Sequence, residues 1–408
     1  MNPIKAKLIL LSDQILVSGF KFLLTLLLVR FLGVDDFGLF ATGWMLVLFF
    51  SSLQLAYIIS PLYTLFPKHL YPKQYLKSVH SIQILFTVIT LVSAIASLKI
   101  IMFIKPEWFV SGILWSLPLV IALFGLQDFY RRLNILRNRP LLTFISDLVA
   151  YGLQPISIYG LYYFEALNIH NCYLVLAVLY GISSIYYTFI ISLEFNTSQL
   201  ILTIKENWYY SRFLLGTALL QWFTSNFFII AAGGLLAPAA IGIIRIAQNV
   251  LGVLNVLFLT LENIVPLKAA QILAKLGPLP TLNYFKKVFI YGGVLTGLTL
   301  VCIALGRDLI IVWLYGEQYL KYSNILLGFT LLYVFIFINT IFGFVIKTFE
   351  LNHIFLISYV ITTAFSVFSA KPIISQWGLQ GVILGLISIQ ILNVVVYYYY
   401  LKTKFIEL

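Results

Sequence analysis

The first apolar run of the chain carries five polar residues where a lipid-facing helix has no use for them: Asp13, Gln14, Ser18, Lys21 and Thr25. On a helix of 3.6 residues per turn, Gln14, Ser18, Lys21 and Thr25 fall within about 60° of one another. Four polar residues on one stripe of an otherwise apolar helix cannot face lipid comfortably, and a cavity would explain them. The pattern returns later as Thr217, Gln221 and Thr224, and the next run holds Arg245, Gln248, Asn249, Asn255 and Glu262. Gln248, Asn255 and Glu262 recur every seven residues and share a side, with Arg245 flanking it. Lys21 and Arg245 are the cations suited to an anionic group. Asp13, Glu262 and Asp147 are the carboxylates suited to carrying a proton or ion. The competing reading for each is a charge pair or hydrogen bond between helices. Asp147 lies two turns from Arg139 and could reach toward it. Arg30 ends the first run, where it suits either anchoring or contact with a bound molecule.

Other chemistry is excluded by what the chain lacks. No glycine-rich loop ends in Gly-Lys-Ser or Gly-Lys-Thr, so ATP bound to this chain is not the energy source. No His-Glu-x-x-His occurs, and His69, His80, His170 and His353 are scattered, so neither a metal nor a cofactor is expected. Asp36-Phe37-Gly38 copies a kinase triplet only by coincidence. Cys172 and Cys302 lie in apolar surroundings in different halves and read as inert thiols rather than a disulfide.

The elements that must position these residues are membrane helices. Hydrophobic residues make up 61% of the 408, charged residues 10%, and the mean hydropathy is +1.00. A soluble domain carries about 25% charge, so this chain cannot cover itself with a normal water-facing surface. Crossing a bilayer takes about 20 apolar residues. By that measure the spans run approximately over 8–29, 39–63, 82–104, 110–129, 141–163, 172–193, 213–233, 240–265, 288–305, 324–346, 355–370 and 379–400. The expected fold is therefore all-α, a polytopic membrane protein of about twelve transmembrane helices. Continuous runs of this length exclude a barrel, whose strands are about ten residues and alternate in polarity. The first run is too long for a signal peptide and lacks a small-residue cleavage site, so it should remain as a span.

Two halves echo each other. Phe31–Phe40 joins one apolar run to the next, and Leu235–Ile244 does the same 204 residues later, with Gly38 falling on Gly242. The following runs end in Pro61-Leu62 and Pro266-Leu267. The expected architecture is two six-helix lobes related by internal duplication, 1–197 and 198–408, with 194–212 as the linker between them. Ile201, Ile204 and Trp208 share a face of that linker, which suits a short helix lying on the membrane surface. A duplicated set of spans with no soluble domain between them is a transporter arrangement.

Lysine and arginine collect in alternate loops, so the charge of +12 reports topology rather than nucleic-acid binding. With both termini cytoplasmic, that side holds Lys5, Lys7, Lys68, Lys73, Lys77, Arg131, Arg132, Arg137, Arg139, Lys205, Arg212, Lys268, Lys275, Lys286, Lys287, Lys347, Lys402 and Lys404. The other side holds Arg30, Lys99, Lys105, Arg307, Lys321 and Lys371. Trp108 and Tyr397–Tyr400 sit at span ends and read as interfacial anchors. Gly293–Gly297 and Gly381–Gly385 have the spacing that lets helices pack closely.

The turn Arg30-Phe31-Leu32-Gly33-Val34-Asp35-Asp36-Phe37-Gly38 resembles the R-x-L-G-x-x-x-[FY]-G turn after the first span of polysaccharide flippases. Those proteins belong to the multidrug/oligosaccharidyl-lipid/polysaccharide exporter superfamily. Leu136-Arg137-Asn138-Arg139 and Leu314-Tyr315-Gly316-Glu317-Gln318-Tyr319 are similar too, and the second-half turn departs from the pattern with Gly234 where Arg30 stands in the first. The resemblance implies a V of two lobes around a central cavity, worked by alternating access. It implies movement of an undecaprenyl-pyrophosphate-linked oligosaccharide across the bacterial inner membrane for O-antigen, capsule, exopolysaccharide or lipopolysaccharide assembly. The implied partners are that lipid-linked oligosaccharide, the bilayer, and a glycan polymerase with other assembly proteins. An ion-coupled multidrug antiporter of the same superfamily is the first rival, and it would favour carboxylates without nearby cations. A membrane-embedded polysaccharide polymerase or ligase is the second. It would need a large outer loop with catalytic residues, and the longest, 306–323, is short and has no histidine. The chain is not expected to be an enzyme.

Overall fold

The computed structural model describes residues 3–406 except Phe109, Ile191, Ser192 and Phe195. It is helical throughout, with no strand among the described residues. The helices are α1 (Pro3–Gln54), α2 (Ser60–Leu65), α3 (Pro72–Ile104), α4 (Ile113–Leu136), α5 (Pro140–Asp147), α6 (Leu153–Tyr163), α7 (Ile169–Ile190), α8 (Thr197–Leu235), α9 (Pro238–Val250), α10 (Gly252–Leu276), α11 (Pro278–Leu305), α12 (Arg307–Tyr315), α13 (Ile325–Thr348) and α14 (His353–Ile406).

Among the described residues nine helical stretches are long and apolar enough to cross a membrane. Two of them are double. The stretch Leu8–Lys68 is broken at Gly33 (φ 79, ψ 172), and His353–Lys404 is broken at Gly378 (φ 55, ψ −133). Both conformations are closed to residues with a side chain, so each glycine lets an uninterrupted run of sequence turn back into a second pass. Counting those two breaks and the shorter α7, the nine stretches make twelve passes. The chain is a multi-pass membrane protein. The two spans drawn shortest from the sequence are full length: α11 begins at Pro278 rather than 288, and the eleventh pass begins at His353 and runs to the Gly378 break.

The duplication reaches the backbone. Residue 33 plus the 204-residue offset is Ala237, and there the second half also breaks, between α8 and α9. Ala237 does so with extended backbone (φ 170, ψ 164) and Pro238 opening the next helix, so no glycine is needed. The halves differ further on. The five residues before Ser60-Pro61 widen into a π-turn, Leu55–Ile59, which relieves the clash of the proline ring with the preceding turn. Pro266 is carried inside α10 instead, and that pass breaks earlier, at Leu251.

The chain forms two compact units, Met1–Leu219 and Leu220–Leu408, so the first ends within α8 rather than before it. In the first unit α4 is central, packed on α3 and α7, with 72% of its most apolar window buried. Buried polar bonds pin its neighbours. Gln54 Nε2 donates to Gln83 Oε1 at 3.0 Å and to the Gly125 carbonyl at 2.7 Å, and His80 Nε2 lies 2.8 Å from the Tyr130 hydroxyl. Residues 197–212 are the opening turns of α8, not a separate surface helix. Tyr75 donates to Asn207 Oδ1 at 3.0 Å, and the Thr64 and Tyr210 hydroxyls are 2.8 Å apart.

In the second unit α13 is central, packed on α10, α11 and α14. A Cβ at Gly385 would lie 2.0 Å from the Phe228 ring, so this glycine is what allows α8 against α14. Gly297 meets nothing within 4 Å. Tyr397 is buried while Tyr398 and Tyr399 are exposed, and Cys172 is buried and Cys302 exposed, both free.

Candidate functional site

In the first unit Asp13 and Lys21 of α1 belong to one connected group. Asp13 is 1% exposed and Asp147 fully buried. One guanidinium serves both: Arg131 Nη2 donates to Asp13 Oδ2 at 2.9 Å, and Arg131 Nε donates to Asp147 Oδ2. Gln127 Nε2 donates to Asp147 Oδ1 at 2.8 Å, and the Tyr151 hydroxyl donates to Gln127 Oε1 at 3.3 Å. The Lys21 ammonium stands over the Tyr151 ring, 4.8 Å from its centroid. The chain of contacts thus leaves α1 at Asp13, passes through α4, α5 and the π-turn Leu148–Gly152, and returns to α1 at Lys21 two turns later.

Helix geometry explains the arrangement. Gln127 and Arg131 are four apart on α4 and so share a face. Two carboxylates against one guanidinium leave one negative charge, and Lys21 supplies its complement at one remove. Lys21 and Ser18 are exposed, and Gln14 and Thr25 half-buried. The Thr25 hydroxyl is spent on the Lys21 carbonyl at 3.0 Å. Arg30 is exposed, three residues before the Gly33 break.

Two expectations change here. Asp147 does not reach toward Arg139, which is exposed at the start of α5; a carboxylate this deep takes the cation packed against it on α4. Arg131 is correspondingly not a plain loop cation. The sequence signal was present, since Gln127, Asp128 and Arg131 lie on two adjacent turns at the end of an apolar run. Arg131, Gln127 and Tyr151 are the site residues the sequence reading missed.

The second unit is arranged differently. Arg245, on α9, donates from Nη1 to Gln248 Oε1 at 2.6 Å and from Nη2 to Asn226 Oδ1 at 3.3 Å. Both partners are neutral amides, and none of the ion pairs among the described residues includes Arg245. Asn226 on α8 was also missed by the sequence reading. Gln221 is exposed on the same helix.

The seven-residue stripe is split. The helix is interrupted at Leu251, so Gln248 stays with Arg245, while Asn255 accepts from the Tyr333 hydroxyl at 3.4 Å and Glu262 pairs with Lys347 at 2.6 Å, both on α13. Thr224 turns from the stripe to α14, with its hydroxyl 2.9 Å from that of Thr363 and 3.3 Å from that of Thr362.

Chemically, the second unit offers a guanidinium positioned by dipoles and not neutralised by an acid. The first offers a self-neutralising set of charges with one accessible ammonium.

No protein-family model matches the chain, and no curated protein matches it. Solved structures do. The chain is similar to one titled "Lipid II flippase MurJ, inward closed conformation", with a TM-score of 0.69 at 15% identity over 98% of this chain and 87% of the other. An inward-facing multidrug resistance MATE family transporter of the MOP superfamily also gives 0.69, at 11% identity over 98% of each chain. The Vibrio cholerae MATE transporter VcmN, as a D35N mutant, gives 0.64 at 13% identity over 98% of this chain and 97% of the other. Likeness at such low identity speaks to architecture, and the chain has the fold of these solved structures.

Proposed function

We propose that the protein flips undecaprenyl-pyrophosphate-linked oligosaccharide units across the bacterial inner membrane, as a step in O-antigen, capsule or exopolysaccharide assembly. The observation that carries this reading is Arg245, a guanidinium inside an apolar helix whose partners are the amides of Gln248 and Asn226. A cation at membrane depth costs a few kcal/mol, and one without a carboxylate partner is suited to a ligand that brings the negative charge. A pyrophosphate does so, and bidentate donors favour it. Lys21 is the second contact, with Gln14, Ser18, Gln221 and Asn255 offering hydrogen bonds to sugar hydroxyls. Arg30 is a further candidate contact. Alternating access would rock the two units against each other, with the lipid tail left in the bilayer. Both termini would be cytoplasmic, so reporter fusions after Lys73, Arg137 and Lys286 read cytoplasmic and those after Asn168 and Lys371 periplasmic. A periplasmic signal at Arg137 overturns that orientation.

The test is surface polysaccharide in a strain lacking its own flippase, with the lipid-linked precursor measured inside the cell. Arg245→Ala and Lys21→Ala should lose surface glycan and accumulate precursor at unchanged protein level, and Arg245→Lys should retain part of it. Normal glycan in both alanine variants removes these residues from the mechanism.

The rival reading, an ion-coupled antiporter of cationic small molecules, draws support from the buried acids Asp13 and Asp147. Arg131 already occupies both, which weighs against it. Expression that protects cells from cationic dyes, without restoring glycan, would favour the antiporter.

A further inference from the structure

The end of α14 returns to its beginning. After the Gly378 break its second arm runs back along the first in register: Phe355 meets Tyr397 edge-on at 5.7 Å, the Ser358 hydroxyl donates to Asn393 Oδ1 at 2.5 Å, and His353 meets Tyr400 at 6.4 Å. At 1.5 Å per residue the arms before and after Gly378 are about 37 and about 42 Å long, which exceeds the hydrocarbon thickness of about 30 Å. The paired ends therefore stand at headgroup depth. Between them lies an open groove of about 270 Å³, lined by Leu351, His353, Ile354, Tyr400, Thr403 and Lys404.

We infer that this groove holds the headgroup of an anionic glycerophospholipid. Its lining contains one lysine, one histidine and two hydroxyl groups, but no carboxylate. Lys404 takes part in none of the ion pairs among the described residues. Lys402 is exposed on the same turn, and Lys347, which closes α13, is neutralised by Glu262. Glu350 is the acid nearest in sequence to His353.

A phosphodiester bound at Lys404 would have Leu351 and Ile354, 9% and 1% exposed, as the apolar wall for its glycerol and first methylenes. That wall beside a cation distinguishes a lipid from free phosphate. Tyr398 and Tyr399, 56% and 64% exposed on the same arm, fit the aromatic belt of a membrane border. Basic clefts between transmembrane helices at this depth are the places where anionic headgroups bind. None of these residues belongs to the substrate contacts proposed above, so the inference stands apart from the flipping reaction.

The experiment is native mass spectrometry of the purified full chain from micelles doped with phosphatidylglycerol or phosphatidylcholine. Wild-type protein should retain phosphatidylglycerol in preference. Lys404→Gln should lower that retention by about fivefold, the worth of one lysine at a charged membrane surface, and Lys402→Gln should leave it within error. Size-exclusion profiles of the variants establish that they remain folded, as a change at an exposed residue should allow. Equal retention in Lys404→Gln and wild type, equal retention of the two lipids, or displacement of the lipid by millimolar inorganic phosphate would each overturn the assignment.

Discussion

The two units solve the problem of charge in a membrane in opposite ways. In the first, Arg131 is shared by Asp13 and Asp147, and Lys21 sits one aromatic ring away. Positive and negative groups there cancel without a ligand. In the second, Arg245 is steadied only by Gln248 and Asn226. Matching turns therefore do not imply identical work: the first unit holds its own helices together with charge, and the second leaves Arg245 with amide partners only. An anion approaching the first unit must compete with two carboxylates. One approaching Arg245 displaces only amide oxygens.

The largest expected effect follows from that contrast. Arg131→Leu strands two buried carboxylates, and removing one partner of a buried pair costs about 3–5 kcal/mol. Membrane abundance and thermal unfolding in detergent should both fall sharply. The combination Asp13→Asn, Arg131→Leu, Asp147→Asn should recover most of the loss, because no charge is left unpaired. Arg245→Leu should leave unfolding unchanged or raised, since it removes a charge with no ionic partner, while abolishing the proposed transport. Equal destabilisation by Arg131→Leu and Arg245→Leu would erase the distinction between the units.

Much of the fold was legible in the sequence because bilayer thickness sets span length and because duplication leaves matching turns. The offset that pairs Gly38 with Gly242 also pairs the two backbone breaks, Gly33 and Ala237. The site was less legible. Polar residues inside apolar runs are conspicuous, but their partners depend on which faces of distant helices meet. Asp147 could not be assigned to Arg131 over Arg139 from spacing alone, because the choice rests on α4 packing against α5. Arg131 was hidden for a second reason: as one of four arginines at a span end, it already had a sufficient explanation in topology. The Leu251 interruption likewise has no proline at the break to announce it, so the seven-residue stripe read as continuous across it.

A smaller effect separates the units at their equivalent turns. Gly33 has open space around its Cβ position but φ of +79°, so Gly33→Ala costs about 1–3 kcal/mol purely in backbone strain. Ala237 is extended, and Ala237→Gly should cost less than about 1 kcal/mol, chiefly through the freer unfolded chain. Unfolding midpoints in one detergent compare the two directly. Equal shifts would mean that the turns bear equal strain, whatever their dihedral angles.

The smallest effect concerns Glu262, where a carboxylate expected to carry protons lies 2.6 Å from the Lys347 ammonium. Both side chains are about half exposed, 49% and 46%, so the pair is not a buried charge like Asp147. Exposed pairs contribute about 0.2–1 kcal/mol, and a double-mutant cycle with Glu262→Gln and Lys347→Gln should return a coupling in that range. The proposed transport should survive Glu262→Gln, because a half-exposed ion pair between α10 and α13 has no dedicated proton to deliver. If Glu262→Gln instead stops transport while protein level and unfolding stay unchanged, the second unit carries a proton as well as an anion. The contrast between a self-neutralised first unit and a second one whose guanidinium has only amide partners would then have to include that proton.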